Sequence, residues 1–274
     1  MKLAVFDLDG VLSKGKVFSK DLSKDMLEGE RENLKNFKDY MSQKNVPCVA
    51  VTGRSLEISK ELMTYMDDFS VCEHGTIVVD PKTMDWYHLV DGEDKFSNLI
   101  EAKDRLESFI HLAEKFDEIL LNAFPEEKIK RRDDNLHILT YEFESVEGED
   151  FAMRLYTELY KHLPHEIKLD LNNKDIVLKT CDMAIDLMPG VSKKEGLIHL
   201  LNKLNIDTKD VIIFGDSYHS DGQMMKVITD GVWVCPGNSD DRLKEEIKNR
   251  GKLGYVAEKP FFEGTMDAIH HFFD

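Results

Sequence analysis

Two aspartates two residues apart, Asp7 and Asp9, follow a short apolar run over residues 3 to 6. A second apolar run, beginning at Val46, ends in Thr52, Gly53 and Arg54. A third, beginning at Asp210, ends in Gly215, Asp216 and Ser217, with Asp221 close behind, and GVSKK sets Lys193 at the start of a helical pattern. Converging carboxylates repel one another, and a hard divalent cation with oxygen ligands removes that cost. Asp7 and Asp216 are the leading candidate ligands. A carboxylate can also attack phosphorus and form an aspartyl-phosphate, which divides hydrolysis into two easier displacements. In a pair spaced by two, one carboxylate can be the nucleophile and the other the general acid and base. A Thr hydroxyl and a Lys ammonium would hold oxygens whose charge must be stabilised in the transition state.

The elements that must position these residues are read from periodicity. LAVF, VPCVAV, SVC, DVIIF and GVWVC are short, β-rich runs that each stop at Gly or a polar residue, which predicts buried parallel strands. Helical spacing is predicted near residues 29–43, 56–67, 193–204, 218–228 and 240–249. This alternation predicts a Rossmann-like, doubly wound α/β core. In open sheets of this kind ligands bind at the carboxyl ends of the strands, where the polar residues above are found.

The middle of the chain breaks the rhythm. Strand-like WYHLV, a helix near 98–116, strand-like LHILTYEF, a helix near 149–162 and strands over IKLDL, DIVLKT and MAIDLM predict an inserted α+β module with an antiparallel sheet. The expected division is a core of residues 1–80 and 188–274 with an insertion at 81–187.

Composition narrows the function further. The chain of 274 residues is 42% apolar and 32% charged, and no stretch approaches the roughly 18 apolar residues of a membrane span. Carboxylates interrupt MKLAVFDLDG where a signal peptide needs an apolar core, so a cytoplasmic location is expected. The four cysteines are scattered, without zinc-like pairing, and read as reduced thiols. A net charge of −17 argues against a nucleic-acid partner. It leaves room for a small anionic substrate whose site supplies its own cations.

DLDGV, VTGR, GVSKK and GDSYHSD resemble the four ordered motifs of the haloacid dehalogenase superfamily, and the position of the insertion is similar to its Cof-like phosphatases with a large α+β cap. The resemblance implies a phosphatase acting on a small phosphorylated metabolite, such as a sugar phosphate. It implies Asp7 as nucleophile, Asp9 as general acid and base, and Thr52, Gly53 and Lys193 as phosphoryl binders. Mg2+ is implied at Asp7, Asp216 and the backbone carbonyl of Asp9, with Asp221 a ligand or an outer support. A phosphomutase with the same intermediate, or a catalytically silent binding protein, are the alternatives. Two departures stand out: GDSYHSD has one residue more than the common GDSxND, and Glu73-His74-Gly75 replaces the usual Asn-Gly.

Several residues carry two readings. Arg54 either holds its loop or reaches substrate, and His74 either touches substrate or caps a loop. Lys130, Arg131 and Arg132 are possible substrate contacts of the insertion, against the plainer reading of a solvated charge run.

Overall fold

The computed structural model describes residues 1–14, 24–90, 97–110, 113–132, 134–144, 149–181 and 184–274. These divide into two compact units, Met1–Leu89 with Ser192–Asp274, and Val90–Val191.

The first unit begins with β1 (Leu3–Phe6), α1 (Lys24–Gln43), β2 (Cys48–Ala50), α2 (Leu56–Met63), β3 (Ser70–Cys72), β4 (Ile77–Val79) and β5 (Trp86–His88). The second unit contains α3 (Ser97–Ile110), α4 (Glu114–Ala123), β6 (Lys128–Arg131), β7 (Leu139–Glu144), α5 (Glu149–His162), α6 (His165–Asn173), β8 (Ile176–Cys181) and β9 (Ala184–Pro189). The first unit resumes with α7 (Lys193–Leu204), β10 (Val211–Phe214), α8 (Asp221–Met225), β11 (Val232–Cys235), α9 (Asp241–Asn249), β12 (Gly254–Val256) and α10 (Phe261–Phe273).

The first unit is built on a parallel sheet in the order β12-β11-β10-β1-β2. Every residue of β1 and β10 is buried, which is why both read as unbroken apolar runs. Phe6 pairs with Phe214 in register, and their rings stack at 4.5 Å, with Phe37 of α1 edge-on to Phe6 at 5.1 Å. From β1 the chain goes to β2 on one side, then returns to β10 on the other. That reversal leaves a crevice at the carboxyl ends of β1 and β10.

Two expectations are corrected in this unit. SVC does not join the parallel sheet as a central strand: β3 pairs antiparallel with β4, and a bridge between Val51 and Val71, with Ala50 N donating to Ser70 Oγ at 3.0 Å, ties it to the edge of the parallel sheet. Glu73, His74 and Gly75 all have positive φ (47°, 55° and 115°), so the chain reverses immediately after Cys72. WYHLV, expected in the insertion, supplies β5, which pairs with β4. The edge strand β12 was not expected, because its residues GYV are each only partly buried and form no apolar run.

In the second unit an antiparallel sheet in the order β6-β7-β9-β8 buries Leu139, Tyr141, Phe143, Ile185 and Leu187 in a core with residues of α3, α4 and α5. IKLDL is helical, within α6, and not a strand. Its apparent alternation misleads because Leu169 is 47% exposed, while Asp170 is buried by a two-pronged ion pair with Arg105 of α3, at 2.8 and 2.6 Å. Lys130 and Arg131 of the basic run lie in the edge strand β6, with Arg132 just beyond its end. No described helix is long and apolar enough to cross a membrane.

Candidate active site

The crevice at the carboxyl ends of β1 and β10 collects most of the residues singled out above. Asp7 follows β1 directly and its N–H donates to the Phe214 carbonyl at 3.0 Å, so the sheet ladder itself fixes its backbone. Its carboxylate is buried, accepting from Leu8 N at 2.7 Å through Oδ1 and pairing with Lys193 Nζ at 3.0 Å through Oδ2.

Lys193 reaches this point because α7 begins at the crevice. Ser192 caps the helix in a capping box with Glu195, whose Oε2 accepts from Ser192 N at 2.9 Å. Gly75 makes the approach possible: at φ 115°, a Cβ there would lie 2.1 Å from the Ser192 carbonyl oxygen. The ammonium of Lys193 also bonds Asp221 Oδ1 at 2.8 Å. Burial opposes its charge, but Asp221 and Asp7 outweigh that cost and hold it above its ordinary range.

Asp221, at the start of α8, is fully buried, and its second oxygen accepts from Asp216 N at 2.8 Å and Ser217 N at 3.1 Å. The carboxylate is therefore bonded on both oxygens. Gly215 permits this, since a Cβ there would sit 2.5 Å from Asp221 Cβ. Asp216 lies against Gly10, whose missing Cβ would fall 1.8 Å from Asp216 Oδ2.

Carboxylate oxygens of Asp7, Asp216 and Asp221 lie within 4.8 Å of one another. Burial pushes Asp7 up to about 7, with Asp221 adding to the shift and Lys193 opposing it. Burial, then Asp7 and Asp221, push Asp216 up to about 8. One ammonium does not balance three acids. The excess negative charge, the all-oxygen donors and the cradle at Gly10 fit a hard divalent cation.

Asp9 points elsewhere. Its side chain is 43% exposed and is gripped by Arg54, whose Nε donates to Asp9 Oδ2 at 2.6 Å and whose Nη2 donates to Oδ1. Thr52 is fully buried, and its Oγ1 accepts from Arg54 N at 3.2 Å. Gly53 is required by His74: a Cβ at 53 would lie 2.4 Å from the imidazole Cε1. His74 N donates to the Thr52 carbonyl at 3.1 Å, so the turn that reverses the chain after β3 also braces the Thr-Gly-Arg loop.

In the second unit Arg131 pairs with Asp117 at 3.0 Å, and Arg132 pairs with Asp134 and, at 3.6 Å, with Glu142. Lys130 is exposed opposite Glu142 in the strand register. The structure thus gathers Asp7, Thr52, Lys193, Asp216 and Asp221 with the Asp9–Arg54 pair in one unit, while the three basic residues belong to another.

Two contributors escape sequence reasoning. Asn238, in the turn after β11, donates through Nδ2 to the Gly10 carbonyl at 3.0 Å and lies 3.5 Å from Asp216 Oδ2. Its place just past an apolar strand is the signal that could have found it. Tyr218, the residue that lengthens the last motif, lies under the Arg242 guanidinium at 3.8 Å from the ring centroid, with Lys226 Nζ at 5.0 Å. Its N–H donates to Asp240 at 2.5 Å.

The fold is that of known phosphatases. A protein from Thermoplasma acidophilum superposes with a TM-score of 0.60 at 15% identity, covering 99% of this chain and 98% of that one. The sucrose-phosphatase of Synechocystis sp., solved with sucrose and phosphate, superposes with a TM-score of 0.59 at 17% identity, covering 99% and 97%. A haloalkanoate-superfamily phosphatase from Bacteroides thetaiotaomicron gives 0.55 at 16%, covering 99% and 95%. No curated protein matches the sequence significantly. The family model described as sucrose-6F-phosphate phosphohydrolase matches residues 14–273. The chain belongs to the sucrose-6F-phosphate phosphohydrolase family, and so to the haloacid dehalogenase phosphatases, which hydrolyse phosphoric monoesters.

Proposed function

We propose that this phosphatase hydrolyses a small sugar phosphate through an aspartyl-phosphate at Asp7, with Mg2+ as cofactor. The observation that carries the reading is the buried group of Asp7, Lys193, Asp216 and Asp221, in which three carboxylates share one ammonium. The family description and the sucrose-bound relative support sucrose 6F-phosphate as the first substrate to test.

In this reading an Asp7 oxygen attacks phosphorus, the ester P–O bond breaks, and Asp9 delivers a proton to the departing sugar oxygen. Water then attacks the phosphorus of the acyl phosphate, Asp9 takes its proton, and inorganic phosphate leaves with Asp7 restored. Arg54 orients the Asp9 carboxylate through its two-pronged contact. The Thr52 hydroxyl and the Lys193 ammonium hold the phosphoryl oxygens. Mg2+ would be held by Asp7, Asp216 and the Asp9 carbonyl, and would neutralise charge developing on the phosphoryl group. Asp221 takes the supporting role, because it is fully buried and accepts three hydrogen bonds, from Lys193 and from the backbone N–H groups of Asp216 and Ser217. Arg54 and His74 are the candidates for contact with the sugar, whereas the run Lys130, Arg131 and Arg132, two of them already paired with carboxylates, takes the plainer reading of a solvated charge run.

The test is release of inorganic phosphate from sucrose 6F-phosphate and a panel of other sugar phosphates, with and without a chelator. Mg2+-dependent release from at least one sugar phosphate is expected. Wild-type protein that releases phosphate equally well in the chelator, or from no sugar phosphate, overturns the reading.

A further inference from the structure

Asp216 faces two buried acids and needs a reason to stay in the crevice. Its backbone is fixed, since Asp240 N donates to the Asp216 carbonyl at 3.0 Å. Its side chain is only partly covered, and Asp7 and Asp221 both repel it. Swinging toward solvent would relieve that repulsion. The amide nitrogen of Asn238 sits where it opposes such a swing, 3.5 Å from Asp216 Oδ2 and 3.0 Å from the Gly10 carbonyl.

The amide cannot serve the opposite polarity. Its Oδ1 accepts from Phe261 N, the first residue of α10, at 2.6 Å, so the NH2 group is the end aimed at the two acceptors. Two N–H bonds meet two oxygens. The turn that carries Asn238 is held without its side chain: Gly237 N donates to the Lys259 carbonyl at 2.7 Å and Ser239 N to the Pro236 carbonyl at 3.2 Å. Loss of the amide should therefore release Asp216 and the Gly10 carbonyl while leaving the loop in place.

We infer that Asn238 is a positioning residue, which holds the Asp216 carboxylate against Gly10 so that it can bind the divalent cation. The inference rests on the cation role proposed above. Outer hydrogen bonds of this kind typically change metal affinity by about 10- to 100-fold.

The experiment is calorimetric titration of chelator-treated protein with MgCl2, and electron paramagnetic resonance with Mn2+, for wild type, Asn238→Ala and Asn238→Ser, each with its metal-free melting temperature. Both variants should bind the cation about tenfold more weakly, the low end of the range for such contacts, with little change in melting temperature. Affinity within twofold of wild type, whatever the melting temperature does, overturns the inference and leaves Asn238 as a loop staple. So does failure of both variants to fold. A wild-type protein that binds neither ion sinks the cation reading itself, and the inference with it.

Discussion

Lys193 and the basic run on β6 are both cations facing carboxylates, yet their surroundings make them different objects. Lys193 is 4% exposed and stands between Asp7 and Asp221 in a group with more acids than it can balance. On and just past the edge strand, Lys128 pairs with Glu144, Arg131 with Asp117 and Arg132 with Asp134, and each of these carboxylates remains in contact with water. Ion pairs in water contribute little, and a charged edge strand chiefly discourages pairing with other chains. Out of water, an unbalanced group is costly unless something else arrives to neutralise it. The contrast teaches that excess buried charge, and not the density of charge along the sequence, marks where a ligand belongs.

The strongest way to break the comparison is to remove the charge that is proposed to react. Asp7→Asn should lower kcat by about 10⁴-fold or more in a phosphate-release assay. Its metal-free melting temperature at pH 8 should equal or exceed that of wild type, because one of three repelling carboxylates has gone. Substantial residual turnover would exclude Asp7 as the nucleophile.

Gly75→Ala tests whether the placement of Lys193, and not merely its presence, matters. A methyl group 2.1 Å from the Ser192 carbonyl, at φ 115°, must displace the start of α7. The expected loss is about 10²-fold in kcat/KM for a misplaced catalytic group, with about 2 kcal/mol of stability. Unchanged kinetics would show that the helix start tolerates the shift.

A third test uses pH. Asp7 and Asp216 are raised from 3.8 to about 7 and about 8 in the folded chain. The folded state therefore holds more protons than the unfolded state between about pH 4 and 8, and stability of the metal-free protein falls as pH rises through that window. Melting temperature measured with chelator should decline from pH 5 to pH 8, and MgCl2 should recover most of the loss at pH 8. A flat profile, or no recovery, would mean that the group is not the strained cation site proposed for it.

The smallest effect is expected on the other side of the comparison. Lys130, Arg131 and Arg132 changed together to Gln should shift kcat/KM for sucrose 6F-phosphate and for an aryl phosphate by less than about threefold, as befits pairs in water. A tenfold loss confined to the sugar phosphate would make the run a specificity element and dissolve the contrast.

The residues that gather in the crevice were legible in the sequence because each follows an apolar run or opens a helix, and strand ends in a doubly wound sheet converge whatever the details of packing. Asp7, Thr52, Lys193, Asp216 and Asp221 needed only that rule and their order. The reversal after Cys72 was hidden, because three consecutive positive φ angles at Glu73, His74 and Gly75 leave no mark in hydrophobic periodicity. IKLDL misled for a related reason: alternation reports which residues are apolar, and it was Arg105, distant in sequence, that buried Asp170 and turned the pattern over.

What the chain determined by itself was therefore the set of residues that meet and the kind of chemistry open to them. Tertiary structure alone decided how charge is shared among them. Asp221 is spent on Lys193 and two backbone N–H groups, Asp9 is held by Arg54, and Asn238 reaches Gly10 across 228 positions of sequence. A carboxylate's role depends on its neighbours and on the water left around it, and both are fixed only when distant segments pack.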